Sequence, residues 1–172
     1  DFSCVGNLPD PTSGAMGDLV GQVEDFQDEF GVPSAIVQIW LNNDPSTGAA
    51  DWEGTTSNGA NVGEFTIDGG IITACEPFAA RVFTDLIPQE TYQTFQVGIA
   101  VAGTPPFSEV FNSVSFSTYQ LLPLTVGVEP LDGLGIAAGR FRDCNNDPVA
   151  NGEASVGTLD LATGTVTTAD GY

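Results

Sequence analysis

The feature that most constrains this chain is the way its apolar residues fall into short runs of β type. Ala35 to Leu41 (AIVQIWL), Thr94 to Ala102 (TFQVGIAVA) and Val110 to Tyr119 (VFNSVSFSTY) are rich in β-branched and aromatic residues, which suit a pleated, half-buried surface. Weaker runs of the same kind lie at Leu19–Glu24, Glu64–Ile67, Ile71–Ala74 and Ala79–Thr84. Between them stand turn residues, with 21 Gly and 11 Pro in 172 residues, as expected for many short strands. Only Gly17–Phe30 and Pro77–Leu86 have room for a helical turn. Leu121–Val126, interrupted by Pro123, reads as an edge or crossing segment. The fold class expected is all-β.

Charge narrows the function. The chain has 23 acidic residues against three basic ones, Arg81, Arg140 and Arg142, giving a net charge of −20. Too few cations exist to displace counterions from a nucleic acid or to hold an anionic lipid surface. The acidic residues are scattered, so the charge reads first as a solubility device and second as a dependence on salt or divalent cations. There is no His and no Lys. A neutral-pH general base, a Ser-His-Asp arrangement, a Schiff-base lysine and a P-loop are thereby removed. No enzyme is expected. No apolar run approaches the roughly 20 residues of a membrane-spanning helix. No signal segment opens the sequence, so a secreted origin implies one already removed.

Residues 1–17 read as an extended leader, 18–126 as a first β-sandwich, 127–135 (GVEPLDGLG) as a hinge, and 136–172 as the start of a second sandwich. The three cysteines, Cys4, Cys75 and Cys144, lack CxxC spacing, which argues against structural zinc. The pairing expected is Cys4 with Cys75, tethering the leader. Cys4 with Cys144, and three reduced thiols, stand as the alternatives.

The two strand sets resemble each other. Leu19-Val20-Gly21-Gln22-Val23-Glu24-Asp25 parallels Ala137-Ala138-Gly139-Arg140-Phe141-Arg142-Asp143. Val32-Pro33 parallels Pro148-Val149, and Thr56-Ser57-Asn58-Gly59 parallels Thr168-Ala169-Asp170-Gly171. Each element has a folding role. The Gly stands where a side chain would crowd a neighbour, the Asp bonds back onto the turn, and Asn-Gly or Asp-Gly makes a hairpin turn with positive φ. With Gly139–Asp143, Asn145–Gly152 and Thr168–Tyr172, the second copy resembles the carboxypeptidase regulatory-like family, a transthyretin-like β-sandwich. The first copy departs more, with longer loops and an inverted Val32-Pro33. The opening DFSCVG resembles that of surface proteins of Gram-negative bacteria. The resemblance implies an immunoglobulin/transthyretin-like β-sandwich in two tandem copies, and a spacer, adhesive or assembly role with no catalytic residues. It also implies an incomplete second copy, because the family's sandwich would continue past Tyr172. Further residues, strands from another chain, or packing of the second copy on the first would each resolve that.

The function expected is a non-catalytic extracellular or cell-surface assembly module, such as a fibre or surface-layer subunit joined through edge strands, partnering itself or another surface protein. The alternative is a carbohydrate- or calcium-binding surface module. Asp143, Asn145 and Asp147 have the spacing of the first half of a calcium loop, although Pro148 and Ala154 occupy positions where such a loop needs Gly and Glu. They are the candidate metal ligands, calcium is the candidate ion, and no other cofactor is expected. Trp52, with Asp51 and Asp44 in the same polar stretch, is the candidate ligand-binding group, and Trp40 the candidate core tryptophan. Glu24, Asp25, Asp28 and Glu29 could set an acid beside a base but read more simply as a solvated turn. Arg81, between apolar residues, is expected to snorkel or to pair with a carboxylate.

Overall fold

The computed structural model describes residues 14–85, 91–126, 157–160 and 165–168. The described residues up to Val126 belong to one compact unit, and two later strands to another. In the larger unit the elements are β1 (Met16–Asp25), β2 (Ile36–Trp40), β3 (Trp52–Thr55), β4 (Glu64–Thr73), β5 (Phe78–Phe83), β6 (Thr91–Tyr92), β7 (Thr94–Ile99), β8 (Phe107–Ser115) and α1 (Phe116–Val126). In the smaller, β9 (Gly157–Asp160) and β10 (Thr165–Thr168) form an antiparallel pair.

Strands dominate, as the short runs require, and they form two four-stranded sheets. The first has the order β4-β1-β8-β6 and the second β3-β2-β5-β7. In the first, β1 lies antiparallel to β4 and parallel to β8, with Leu19 opposite Phe107 and Asp25 opposite Ser113. The second is antiparallel throughout. Period-2 alternation decides which side chains face inward. The first sheet sends Leu19, Val23, Phe65, Ile67, Phe107 and Phe111 into one core, and the second sends Val37, Ile39, Phe78, Ala80 and Val82 into the same core. Phe111 lies 5.2 Å from Phe65 and 6.4 Å from Phe78, centroid to centroid, and so joins the two layers. Burying a side chain of this size contributes about 2–3 kcal/mol.

Gly21 shows why the strand glycine of the repeat is there. It faces Phe65 across the β1–β4 ladder, and a Cβ on it would stand 2.2 Å from Phe65 Cζ. The ring fills the volume the glycine leaves. Asp25, the last residue of β1, also takes the role its position suggested, since its Oδ1 accepts from Gln27 N–H at 2.9 Å. The Asn58-Gly59 turn differs. Positive φ falls on Gly63 (88°) and on neither Asn58 nor Gly59, because Gly63 N–H must reach Ser57 O at 2.9 Å while Ser57 N–H reaches Glu64 O at 2.7 Å.

One element is corrected outright. The run from Val110 does not continue as a strand to Tyr119, and Leu121–Val126 is no edge segment. The strand ends at Ser115 and the chain turns into α1. Ser115 Oγ accepts the Thr118 N–H at 3.2 Å, which caps the helix. Thr118 Oγ1 then donates to Asp25 Oδ1 at 2.8 Å, and Ser115 N–H donates to Asp25 Oδ2 at 2.9 Å. A carboxylate distant in sequence thus fixes where the helix begins. In Gly17–Phe30 and Pro77–Leu86, the stretches with room for a helical turn, the described residues are largely strand.

Both lateral openings between the sheets are bridged. Where β6 is too short to cover β8, Gln96 Oε1 and Thr94 Oγ1 of β7 accept the N–H groups of Asn112 and Val114 at 2.8 and 3.2 Å. On the opposite side the Ser57–Glu64 bond links the end of β3 to β4.

Two stability predictions follow from this geometry. Gly21→Ala should cost about 1–3 kcal/mol through overpacking, with part of the loss recovered when Phe65→Leu is added; urea melts of the single and double variants check it. Burial alone would push the Asp25 pKa up, but hydrogen bonds from Gln27, Thr118 and Ser115 outweigh it and hold the pKa below the ordinary aspartate value of 3.8. Its contribution is therefore present above that value and is lost as pH falls through the lowered folded-state pKa. Asp25→Asn should be less stable at neutral pH by about 1–3 kcal/mol, and melting curves should converge with wild type as pH drops below the aspartate range.

Candidate functional site

The β2–β3 connection carries two of the residues singled out in the sequence, and both are engaged in building the loop. Asp44 is exposed and accepts from Ser46 Oγ at 2.6 Å and Ser46 N–H at 2.9 Å, bonds that lower its pKa, the hydroxyl contributing most. It starts the short 3-10 turn Pro45–Thr47. Asp51 Oδ2 accepts from Leu41 N–H at 2.8 Å. Trp52 is not a loop platform. It opens β3, lies half-buried, and turns its ring onto Phe65 at 5.6 Å. Its strand was hard to read because Gly54 interrupts the alternation; the Trp52 ring folds over that glycine. Trp40 is buried, and its Nε1–H donates to Gly48 O at 3.1 Å.

Among the described residues no three carboxylates or thiols stand together in a metal-holding arrangement. Asp143, Asn145, Asp147 and Cys4 lie outside the described residues. Cys75 is half-buried in the turn after β4 with φ 66°, its N–H donating to Val101 O at 2.7 Å. In the acidic turn, Asp25 is the buried clasp already described and Asp28 Oδ1 accepts from Phe30 N–H at 3.0 Å. The depression beside them is open, about 200 Å³, and lined in part by Asp25, Asp28, Phe30 and Ser117. No described helix is long and apolar enough to cross a membrane.

The strongest constellation is one that sequence reading did not assemble. On the outer face of the second sheet, register aligns Glu53, Gln38, Arg81 and Phe95 in a single row across all four strands. The row forms because β5 alternates, with Phe78, Ala80 and Val82 in the core and Arg81 and Phe83 on the opposite face. Gln38 Nε2 donates to Glu53 Oε2. The Arg81 guanidinium lies over the Phe83 ring at 4.6 Å and reaches toward the Phe95 ring at 5.9 Å, a cation–π arrangement. The acceptor Gln38 Oε1 and the donor Arg81 Nε are both buried without a partner, an arrangement that costs about 1–3 kcal/mol per group. On the edge strand β7, Phe95 of the row is 50% exposed and Val97, two residues along, 65%. One end of this face is covered by the β2–β3 loop, whose Asn43 Oδ1 accepts from Gly98 N–H at 2.7 Å; toward the other end Arg81 is half-buried. The AARVF pattern around Arg81 was the available signal, but a neighbouring aromatic from β7 could not be read from it.

The first sheet holds a second unforeseen group. Glu109 lies between Phe107 and Phe111 on β8, opposite Gly21 of β1, so alternation places it on the core-facing side. Burial raises its pKa above the ordinary 4.5, against a smaller lowering by the Val110 N–H. The ionised form therefore weakens the folded state, and stability should rise as pH falls through the raised folded-state pKa. Glu109→Gln should be more stable than wild type at neutral pH, by less than about 1 kcal/mol because the carboxylate is only half-buried and water screens it. Thermal melts across pH should show the gap closing toward acid.

No known family model matches the chain, and no curated protein matches it. Among solved structures, a 9R-lipoxygenase from Cyanothece PCC8801 is similar over 57% of this chain and 16% of that chain, at 15% identity and a TM-score of 0.28. That likeness carries no inference about fold or function.

Proposed function

We propose that this chain is a non-catalytic extracellular structural module that assembles with copies of itself, as a fibre or surface-layer subunit does, on an immunoglobulin/transthyretin-like sandwich repeated in tandem with the second copy incomplete. The observation that carries this reading is β7, an edge strand that presents Phe95 and Val97 half or more exposed. Exposed apolar edges invite another chain. The chemistry points the same way. The chain has no His or Lys, and the carboxylates of the β2–β3 loop and the acidic turn that are hydrogen-bonded hold backbone in place.

A net charge of −20 opposes self-association until salt screens it, and the screening length falls from about 30 Å at 0.01 M to about 8 Å at 0.15 M. Light scattering under native conditions should therefore show mass rising with protein concentration, and more steeply at the higher ionic strength. A protein that stays monomeric at high concentration in both salts would overturn the proposal.

A further inference from the structure

We infer that the Arg81–Phe95 end of the Glu53–Gln38–Arg81–Phe95 row is the surface on which one copy receives a second, and that Arg81 takes a carboxylate of that second copy. The inference rests on the assembly reading above and names its determinant. Arg81 is the one cation among the described residues of a chain with 23 acidic side chains. Among those residues it carries no ion pair, and its guanidinium lies over the Phe83 ring and toward the Phe95 ring. The rings hold the plane in place and shield part of it from water, which strengthens any hydrogen bond it makes to an anion. Gln38 and Glu53, joined to each other, close the opposite side of the row. Phe95 and Val97 supply an apolar rim beside the charge, the combination of aromatic and Arg anchors typical of interface centres. The occupant follows from charge complementarity. A lone positive group on a strongly acidic protein is matched by the acidic surface of another copy, whose carboxylates are too numerous to be absent from a facing surface.

The test uses substitutions on the exposed rim, where folding is not at stake, together with Arg81 itself. Concentration-dependent mass would be measured at physiological salt for wild type, Val97→Glu, Val97→Lys, Arg81→Lys and Arg81→Glu, with circular dichroism melts to identify any variant that fails to fold. Val97→Glu adds an anion to the apolar rim that would meet the acidic second copy and should weaken assembly by about tenfold or more, whereas Val97→Lys should stay within about threefold of wild type, in line with the size of close charge-pair couplings. Arg81→Glu should abolish assembly, and Arg81→Lys should be intermediate, keeping the charge but losing the planar fork. If both Val97 variants weaken assembly equally, or if folded Arg81→Glu assembles like wild type, the inference fails while self-assembly stands. If wild type itself remains monomeric, both readings fall together.

Discussion

Phe111 meets Phe65 of its own sheet and Phe78 of the opposite sheet at 5.2 and 6.4 Å, and the rest of the larger unit depends on that bridge. It sets the distance at which two sheets share one core. It also requires β1 and β8 to lie in one register, because Val23, opposite Phe111, must face the same interior. Gly21 is a consequence of the same constraint, since Phe65 can reach the bridge only by passing over a position with no side chain. Gly21, Phe65 and Phe111 thus form one packing unit contributed by three strands.

The acidic composition takes on a structural meaning once hydrogen bonds are visible. A chain with three cations cannot satisfy 23 carboxylates by ion pairing. Several are used to hold backbone instead. Asp18 accepts from Gly70 N–H, Asp25 from Gln27 and Ser115, Asp28 from Phe30, Asp44 from Ser46 and Asp51 from Leu41. Charge-assisted bonds of this kind are stronger than neutral ones. They place Asp where turns need an acceptor and leave much of the remaining charge to keep the surface repulsive. Glu109 is the exception, a carboxylate that the β8 register turns toward the core and whose charge the fold disfavours.

The two faces of the second sheet divide the labour. Its inner face is aliphatic and aromatic and belongs to the core. Its outer face is covered in part by the β2–β3 loop, which buries Trp40, and leaves Phe95 half exposed next to Arg81. That contrast is a matter of register. A shift of one residue in β5 would send Arg81 into the core and Val82 to the surface, and the cross-strand row would vanish.

Local pattern determined much of this protein. The alternation and turn residues gave an all-β chain, placed most strands of the larger unit, and assigned folding roles to Gly21 and Asp25, while Trp40, expected in the core, is buried on the outer face under the β2–β3 loop. These features were legible because period-2 burial and turn chemistry act over a few neighbouring residues. What only the tertiary structure decided involved partners far apart in sequence. The helix at Phe116 depends on Asp25, 93 residues from Thr118, and no local signal near VFNSVSFSTY reveals that acceptor. Trp52 turns inward because Phe65 of the other sheet awaits it. The Arg81 row exists because four strands align, and strand register is fixed by the packing of the whole core, a sum over contacts that no single segment of the sequence contains.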